Sequence, residues 1–179
     1  MSTTFSTDST ANATPLTLDS ALSAQVHVLG DALRSKGWTV SSAESCTGGG
    51  VAFAFTSVAG SSDWFNQSWV TYSNDAKRSV LGVTEQTLKE YGAVSKQTVK
   101  EMAEGVRRNS GAQLVVTVSG IAGPGGGSAD KPVGLVWFGL AQAGKPTRTV
   151  SRTFGDVGRE RVRALTVEQA LKLLIDALS

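Results

Sequence analysis

The run Leu114-Val115-Val116-Thr117-Val118 is apolar but for one threonine. A strand with one wet face would alternate apolar and polar residues. A near-continuous β-branched run suits a central strand buried on both faces. Such a strand needs a layer above it and a layer below it. The flanking sequence offers both helices and further strands. Ser95 caps a helical pattern with Val99, Met102, Ala103 and Val106 on one face, and Gly111 closes it. Val133 to Leu140 and Thr147 to Phe154 read as two strands, and the short loop Gln142 to Pro146 pairs them as a hairpin.

The earlier part of the chain alternates. Thr17 is placed to cap a helix carrying Leu18, Leu22, Val26, Leu29 and Leu33, and Gly37 stops it. Trp38 to Ala43 reads as a strand, and the small and apolar run to about Val58 as a helix. Asp63-Trp64-Phe65 suits a short helical turn, and Trp69 to Ser73 a second strand rich in aromatic and β-branched residues. Ser73-Asn74-Asp75 caps a helix with Ala76, Lys77, Val80 and Leu81, ended by Gly82. Thr84 to Tyr91 is a further short helix before Gly92. After Asp156-Val157-Gly158, the residues Ala164, Val167, Leu171, Leu174 and Leu178 form the stripe of a last helix. Alternation followed by two adjacent strands predicts an α/β fold, a three-layer α/β/α sandwich with a mixed sheet. Residues 17–179 make one domain. Residues 1–16, rich in Ser, Thr, Ala and Asn, are expected to be a flexible tail.

Composition removes several function classes. The net charge is +2 and no Lys/Arg block stands out, so nucleic acid is not a predicted partner. No run of about 18 apolar residues predicts a membrane span. No secretory signal is visible, which makes the cytoplasm the expected location. One cysteine and one histidine exclude an internal disulfide and a Cys/His metal cluster. His27, alone on the first helix, is given no role. No cofactor motif is found. Gly120 and Gly125 have the phosphate-loop spacing, but Gly126-Gly127 stands where Lys-Ser/Thr belongs. A dinucleotide fingerprint read from Gly123 fails at Ser128.

Chemistry is then sought at the C-terminal ends of the strands, where open α/β sheets bind ligands. Three polar features lie there. The first is Glu44-Ser45-Cys46-Thr47-Gly48-Gly49, between a strand and a helix. Ser45 or Thr47 reads equally as an ordinary cap. Held at a helix start, Ser45 would also face a natural site for an anion or an oxyanion, and Gly48 and Gly49 would let a substrate approach the backbone. The second is Tyr72-Ser73-Asn74, with Lys77 one turn beyond. A helical lysine is ordinarily solvated, but one buried in a pocket has a lowered pKa and can take a proton from a serine. Tyr72 is either strand packing or a hydroxyl that orients Lys77. The third is the Gly120–Gly127 loop, either a plain connection or a backbone nest for a phosphate or carboxylate.

Five segments carry a resemblance. They are Ala43 to Gly49, Val70 to Lys77, Tyr91-Gly92-Ala93-Val94-Ser95, Ser119 to Pro124, and Lys131-Pro132-Val133-Gly134. In this order, from about Leu18 onward, the chain resembles the CinA C-terminal domain family. Stand-alone members are nicotinamide-nucleotide amidohydrolases, which convert nicotinamide mononucleotide and water to nicotinic acid mononucleotide and ammonia. The resemblance implies a metal-free serine amidohydrolase acting on a small nucleotide, with Ser45 as nucleophile, Lys77 as general base and Tyr72 as an assisting hydroxyl. Thr47, Gly48, Gly49, Asn74, Gly120, Gly123 and Gly125 are the expected substrate-binding positions. Cys46 is a rival nucleophile, but it lacks a histidine partner apart from His27 on another helix. Larger members carry a molybdopterin-binding-like domain ahead of this one, and activities tied to it are not expected. Members are commonly dimers, so a homodimer is expected, with Trp64, Phe65 and Trp69 in the core or at the interface. The alternative is a family fold that binds a nucleotide or a protein without turnover.

Overall fold

A computed structural model describes residues 17–179, so the expected N-terminal tail lies outside the described residues. The elements are α1 Ser20–Lys36, β1 Val40–Glu44, α2 Gly50–Thr56, β2 Phe65–Val70, α3 Asn74–Leu81, α4 Glu85–Tyr91, α5 Lys96–Ser110, β3 Leu114–Gly120, β4 Leu135–Gln142, β5 Arg148–Thr153 and α6 Arg159–Leu178. The strands form one sheet in the order β2-β1-β3-β4-β5. β1 is parallel to β2 and β3, whereas β3–β4 and β4–β5 are antiparallel. This is the mixed-sheet, three-layer sandwich that the sequence predicts.

β3 explains the layering. Its residues are buried from Leu114 to Ser119. Leu114, Val116 and Val118 join one core with α1, α2 and α6 residues such as Leu29, Phe55 and Leu171. Val115 points the other way, into a second core with Met102, Ala103 and Val106 of α5. The period of two in a strand sends alternate residues to opposite faces, so one apolar run serves both cores. Thr117, its one polar residue, donates to the Val99 carbonyl of α5 at 2.8 Å.

Pairing moves several boundaries. β2 was expected over Trp69 to Ser73, but it runs Phe65–Val70 because its register follows β1, from Val40 opposite Phe65 to Glu44 opposite Val70. Tyr72 and Ser73 therefore lie beyond the sheet. β1 starts two residues later than expected and β4 occupies Leu135–Gln142, set by Leu114 facing Gln142 and Gly120 facing Val136. α1 is capped by Asp19, not Thr17: the Asp19 carboxylate accepts the Leu22 N–H at 2.8 Å. The expected turn at residues 63–65 is a single 3-10 turn, Ser61–Asp63, with Trp64 wholly buried after it. Trp64 stands edge-on to Phe55, with ring centres 5.9 Å apart, and Phe65 packs on the same ring. Trp69 packs instead on the α5 core. Among the described residues, no helix is long and apolar enough to cross a membrane.

From β1 the chain goes to β2 on one side and later to β3 on the other. A crevice opens at such a switch point, at the C-terminal end of the first strand. The residue after β1 is Ser45.

Candidate active site

Ser45 continues β1 by donating its N–H to the Val118 carbonyl at 3.1 Å. The chain then turns through Gly48 and Gly49, with φ of 59° and 97°. These left-handed values suit glycine and strain any residue with a Cβ. Neither Ser45 nor Thr47 caps α2. Glu44 does so from the end of the strand, and it is wholly buried. One of its oxygens accepts from the Thr47 hydroxyl at 2.6 Å and from the N–H groups of Gly49 and Val51, each at 3.0 Å. The other accepts from Ala52 N–H at 2.8 Å. A carboxylate here satisfies the orphan donors of the helix and its positive dipole end. The expected anion site at this helix start is therefore filled from within. The Gly48 N–H is also engaged, by the Ser45 carbonyl at 3.1 Å. Among the described residues, no backbone carbonyl takes up the N–H groups of Cys46 and Thr47.

Lys77 comes to Ser45 from α3. The Ser73 hydroxyl caps this helix by accepting from Ala76 N–H, as expected, and Lys77 lies one turn in. Its side chain is 1% exposed rather than solvated. The ammonium nitrogen lies 3.2 Å from Ser45 Oγ, and it donates to the carbonyls of Thr71 at 2.8 Å and Tyr72 at 3.5 Å. Burial pushes its pKa below the ordinary lysine value, because the charged form loses its hydration. Cys46 points elsewhere in chemistry. Its thiol is 5% exposed, and burial raises its pKa to about 11. At neutral pH such a group stays protonated, and the thiol is a poor nucleophile in that form.

Tyr72 is placed differently from its expected role. It is 60% exposed, and its hydroxyl accepts from Arg159 Nη2 at 3.1 Å. Only its carbonyl meets Lys77. Arg159 also donates through Nη1 to the Gly123 carbonyl at 3.1 Å, so it ties the glycine loop to Tyr72. One turn on, Arg163 donates to the Thr47 carbonyl at 2.8 Å. Within the loop, Gly120 ends β3 against Val136, Gly123 is held by Arg159, and Gly125 is open to solvent. Asn74 opens α3 with an exposed side chain.

Sequence reasoning missed Glu44, Arg159 and Arg163. Two signals were present. A lone carboxylate ends an otherwise apolar and small strand, and Arg159, Arg161 and Arg163 all sit in the first turns of α6, where the helix dipole disfavours cations.

The five resembling segments meet on one edge of the sheet. Ser119 Oγ donates to the Ala93 carbonyl at 2.8 Å, Lys131 Nζ to the Tyr91 carbonyl at 2.6 Å, and Gly134 N–H to the Ile121 carbonyl at 2.8 Å. With Lys77 on Ser45, each segment touches another. A family model described as the CinA C-terminal domain matches residues 22–178. The chain belongs to this family. Relatives named nicotinamide-nucleotide amidohydrolase PncC include one from Enterobacter agglomerans, 58% identical over 136 residues, which are 75% of this chain and 82% of that protein. Another, from Escherichia coli strain K12, is 48% identical over 157 residues, 87% of this chain and 94% of that one. A CinA-like protein of Endomicrobium trichonymphae is 53% identical, but this chain spans only 31% of its length. Among solved structures, the competence/damage inducible protein CihA from Agrobacterium tumefaciens superposes with a TM-score of 0.87 at 44% identity, covering 92% of this chain and 99% of that one. The CinA domain thus supplies the edge on which the Ser45 turn, the Lys77 helix and the glycine loop are assembled.

Proposed function

We propose that this domain hydrolyses the carboxamide of nicotinamide mononucleotide, giving nicotinic acid mononucleotide and ammonia, with Ser45 as nucleophile and Lys77 as its base. The observation that carries the mechanism is the buried Lys77 Nζ 3.2 Å from Ser45 Oγ. The substrate comes from the names of the relatives at 58% and 48% identity.

An amide is a poor electrophile and needs an activated nucleophile and a stabilised oxyanion. Neutral Lys77 takes the Ser45 proton as Oγ attacks the amide carbon. The N–H groups of Cys46 and Thr47 are the donors for the resulting oxyanion. Collapse breaks the C–N bond, and Lys77 returns the proton to the departing ammonia. Water, deprotonated by Lys77, then cleaves the acyl-enzyme. The product is the carboxylate, and Ser45 recovers its proton. Gly48 and Gly49 leave room for the pyridine. Arg159 is the cation for the substrate phosphate, with the loop Gly120, Gly123 and Gly125, and with Asn74 at the rim. Tyr72 helps hold Lys77 through its carbonyl and offers its Arg159-bound hydroxyl to the substrate. The scheme needs no cofactor, and a cytoplasmic homodimer is its expected setting.

The test is ammonia release from nicotinamide mononucleotide by the purified protein. Ser45→Ala and Lys77→Ala should each lower kcat at least a hundredfold with unchanged circular dichroism, on the order expected for a nucleophile or its base. Full turnover by Ser45→Ala would sink the mechanism. Ligand-induced stabilisation without ammonia would favour a binding module instead.

A further inference from the structure

We infer that Glu44 is a positioning residue for the nucleophile and the oxyanion donors: its buried carboxylate holds the 45–49 turn in its working shape. The inference rests on the proposed Ser45 chemistry, and it concerns a residue that touches neither Ser45 Oγ nor the reacting amide.

A simple helix cap satisfies one or two N–H groups from the residue just before the helix. Glu44 does more, and from farther back. It accepts four hydrogen bonds, three from backbone N–H groups and one from the Thr47 hydroxyl. Three of the four converge on one carboxylate oxygen, and the other oxygen takes Ala52 N–H. The donors span the turn. Glu44 itself is the strand residue before Ser45, Thr47 is the middle of the turn, and Gly49 is its end.

Thr47 is held from two more sides. Its carbonyl accepts from Arg163 at 2.8 Å and from Gly50 N–H at 3.3 Å. Hydroxyl and carbonyl are therefore fixed, and its N–H is left for a ligand. The same constraint fixes the Cys46 peptide between Ser45 and Thr47. Oxyanion donors act by being oriented before the charge develops, so their value depends on this rigidity. A second consequence follows for binding. With an internal carboxylate on the start of α2, a substrate anion has no call on that helix end, so Glu44 should matter to kcat and little to KM.

Glutamine at this position keeps the size, but at least the oxygen that takes Ala52 N–H becomes an NH2 facing that donor. The variants are Glu44→Gln and Thr47→Val, the second removing only the hydroxyl bond. Each is measured for kcat and KM with nicotinamide mononucleotide, for the rate of Ser45 modification by a fluorophosphonate (read by mass), and for thermal unfolding. Glu44→Gln is expected to lower kcat by roughly a hundredfold, the effect of disabling an oxyanion donor, with KM within about threefold. Ser45 modification should slow as well. Thr47→Val should move both in the same direction by about tenfold. A folded Glu44→Gln with kcat and labelling within about twofold of wild type would overturn the inference, as would a loss confined to KM. If Glu44→Gln does not fold, Thr47→Val decides by the same criteria. Wild type labelled at Ser45 but releasing no ammonia would remove the substrate and leave Glu44 to be judged by labelling. Wild type neither labelled nor active overturns both.

Discussion

Lysine ordinarily keeps its proton at pH 7, and Lys77 sits where keeping it is unfavourable. Burial lowers its pKa. A base must be neutral, so kcat/KM should rise with pH along an acid limb placed below the ordinary lysine value. The stability consequence has a definite sign. The unfolded chain holds the proton more tightly than the native state, so stability rises with pH between the lowered native value and the ordinary one. From pH 7 to about pH 9, thermal unfolding should show this gain in wild type and not in Lys77→Met; at higher pH the raised Cys46 thiol adds the opposite slope to both. A wild-type curve no steeper than that of the variant would contradict the burial of a titrating Lys77. Ser45 itself was legible as a residue at a strand end. Its neighbour Cys46 was a rival on paper, because a sequence does not show that a thiol is 5% exposed and held protonated.

At the scale of elements, the position of Lys77 depends on how closely α3 lies on α5. Gly105 of α5 faces the backbone carbonyl of Leu81, and a Cβ there would collide with it. Backbone cannot swing aside as a side chain can. Gly105→Ala should therefore push the end of α3 outward, costing about 1–3 kcal/mol in denaturant unfolding. It should also lower kcat, because α3 carries the base. Unchanged stability would show that the contact gives way freely. The caps of α3 and α5 were readable, since Ser73 and Ser95 each accept from the N–H three residues on; Thr84, read as the first residue of α4, is in fact its cap, accepting from Thr87 N–H. The cap of α2 was not readable. Glu44 lies in the preceding strand, and local capping rules look at the residue next to the helix.

At the scale of the molecule, the site is closed by a residue from the far end of the chain. Arg159 reaches Tyr72, 87 positions away, and the Gly123 carbonyl. It can do so because β5 is antiparallel to β4, which returns the chain to the edge where β1 and β3 end. Arg159→Ala should raise KM for nicotinamide mononucleotide about tenfold, as expected for one charged hydrogen-bond partner, with a smaller change in kcat. The riboside, which lacks the phosphate, should bind wild type and variant alike in competition assays. An equal loss for both ligands would assign Arg159 to holding Tyr72 and the loop rather than the phosphate.

The architecture was legible without coordinates, because β3 is apolar on both faces and the helical stripes flank it. So were the segments that belong to the CinA pattern, since those motifs are local. The tertiary structure alone decided the strand limits, because ladders are set by partners: β2 stops at Val70 where β1 stops at Glu44. It alone decided that Lys77 is buried 3.2 Å from Ser45, that the Tyr72 hydroxyl belongs to Arg159, and that Glu44 occupies the start of α2. These are contacts between residues brought together by the switch in strand order and by the return of α6. Composition and periodicity describe each segment, but they carry no record of which segment it will touch.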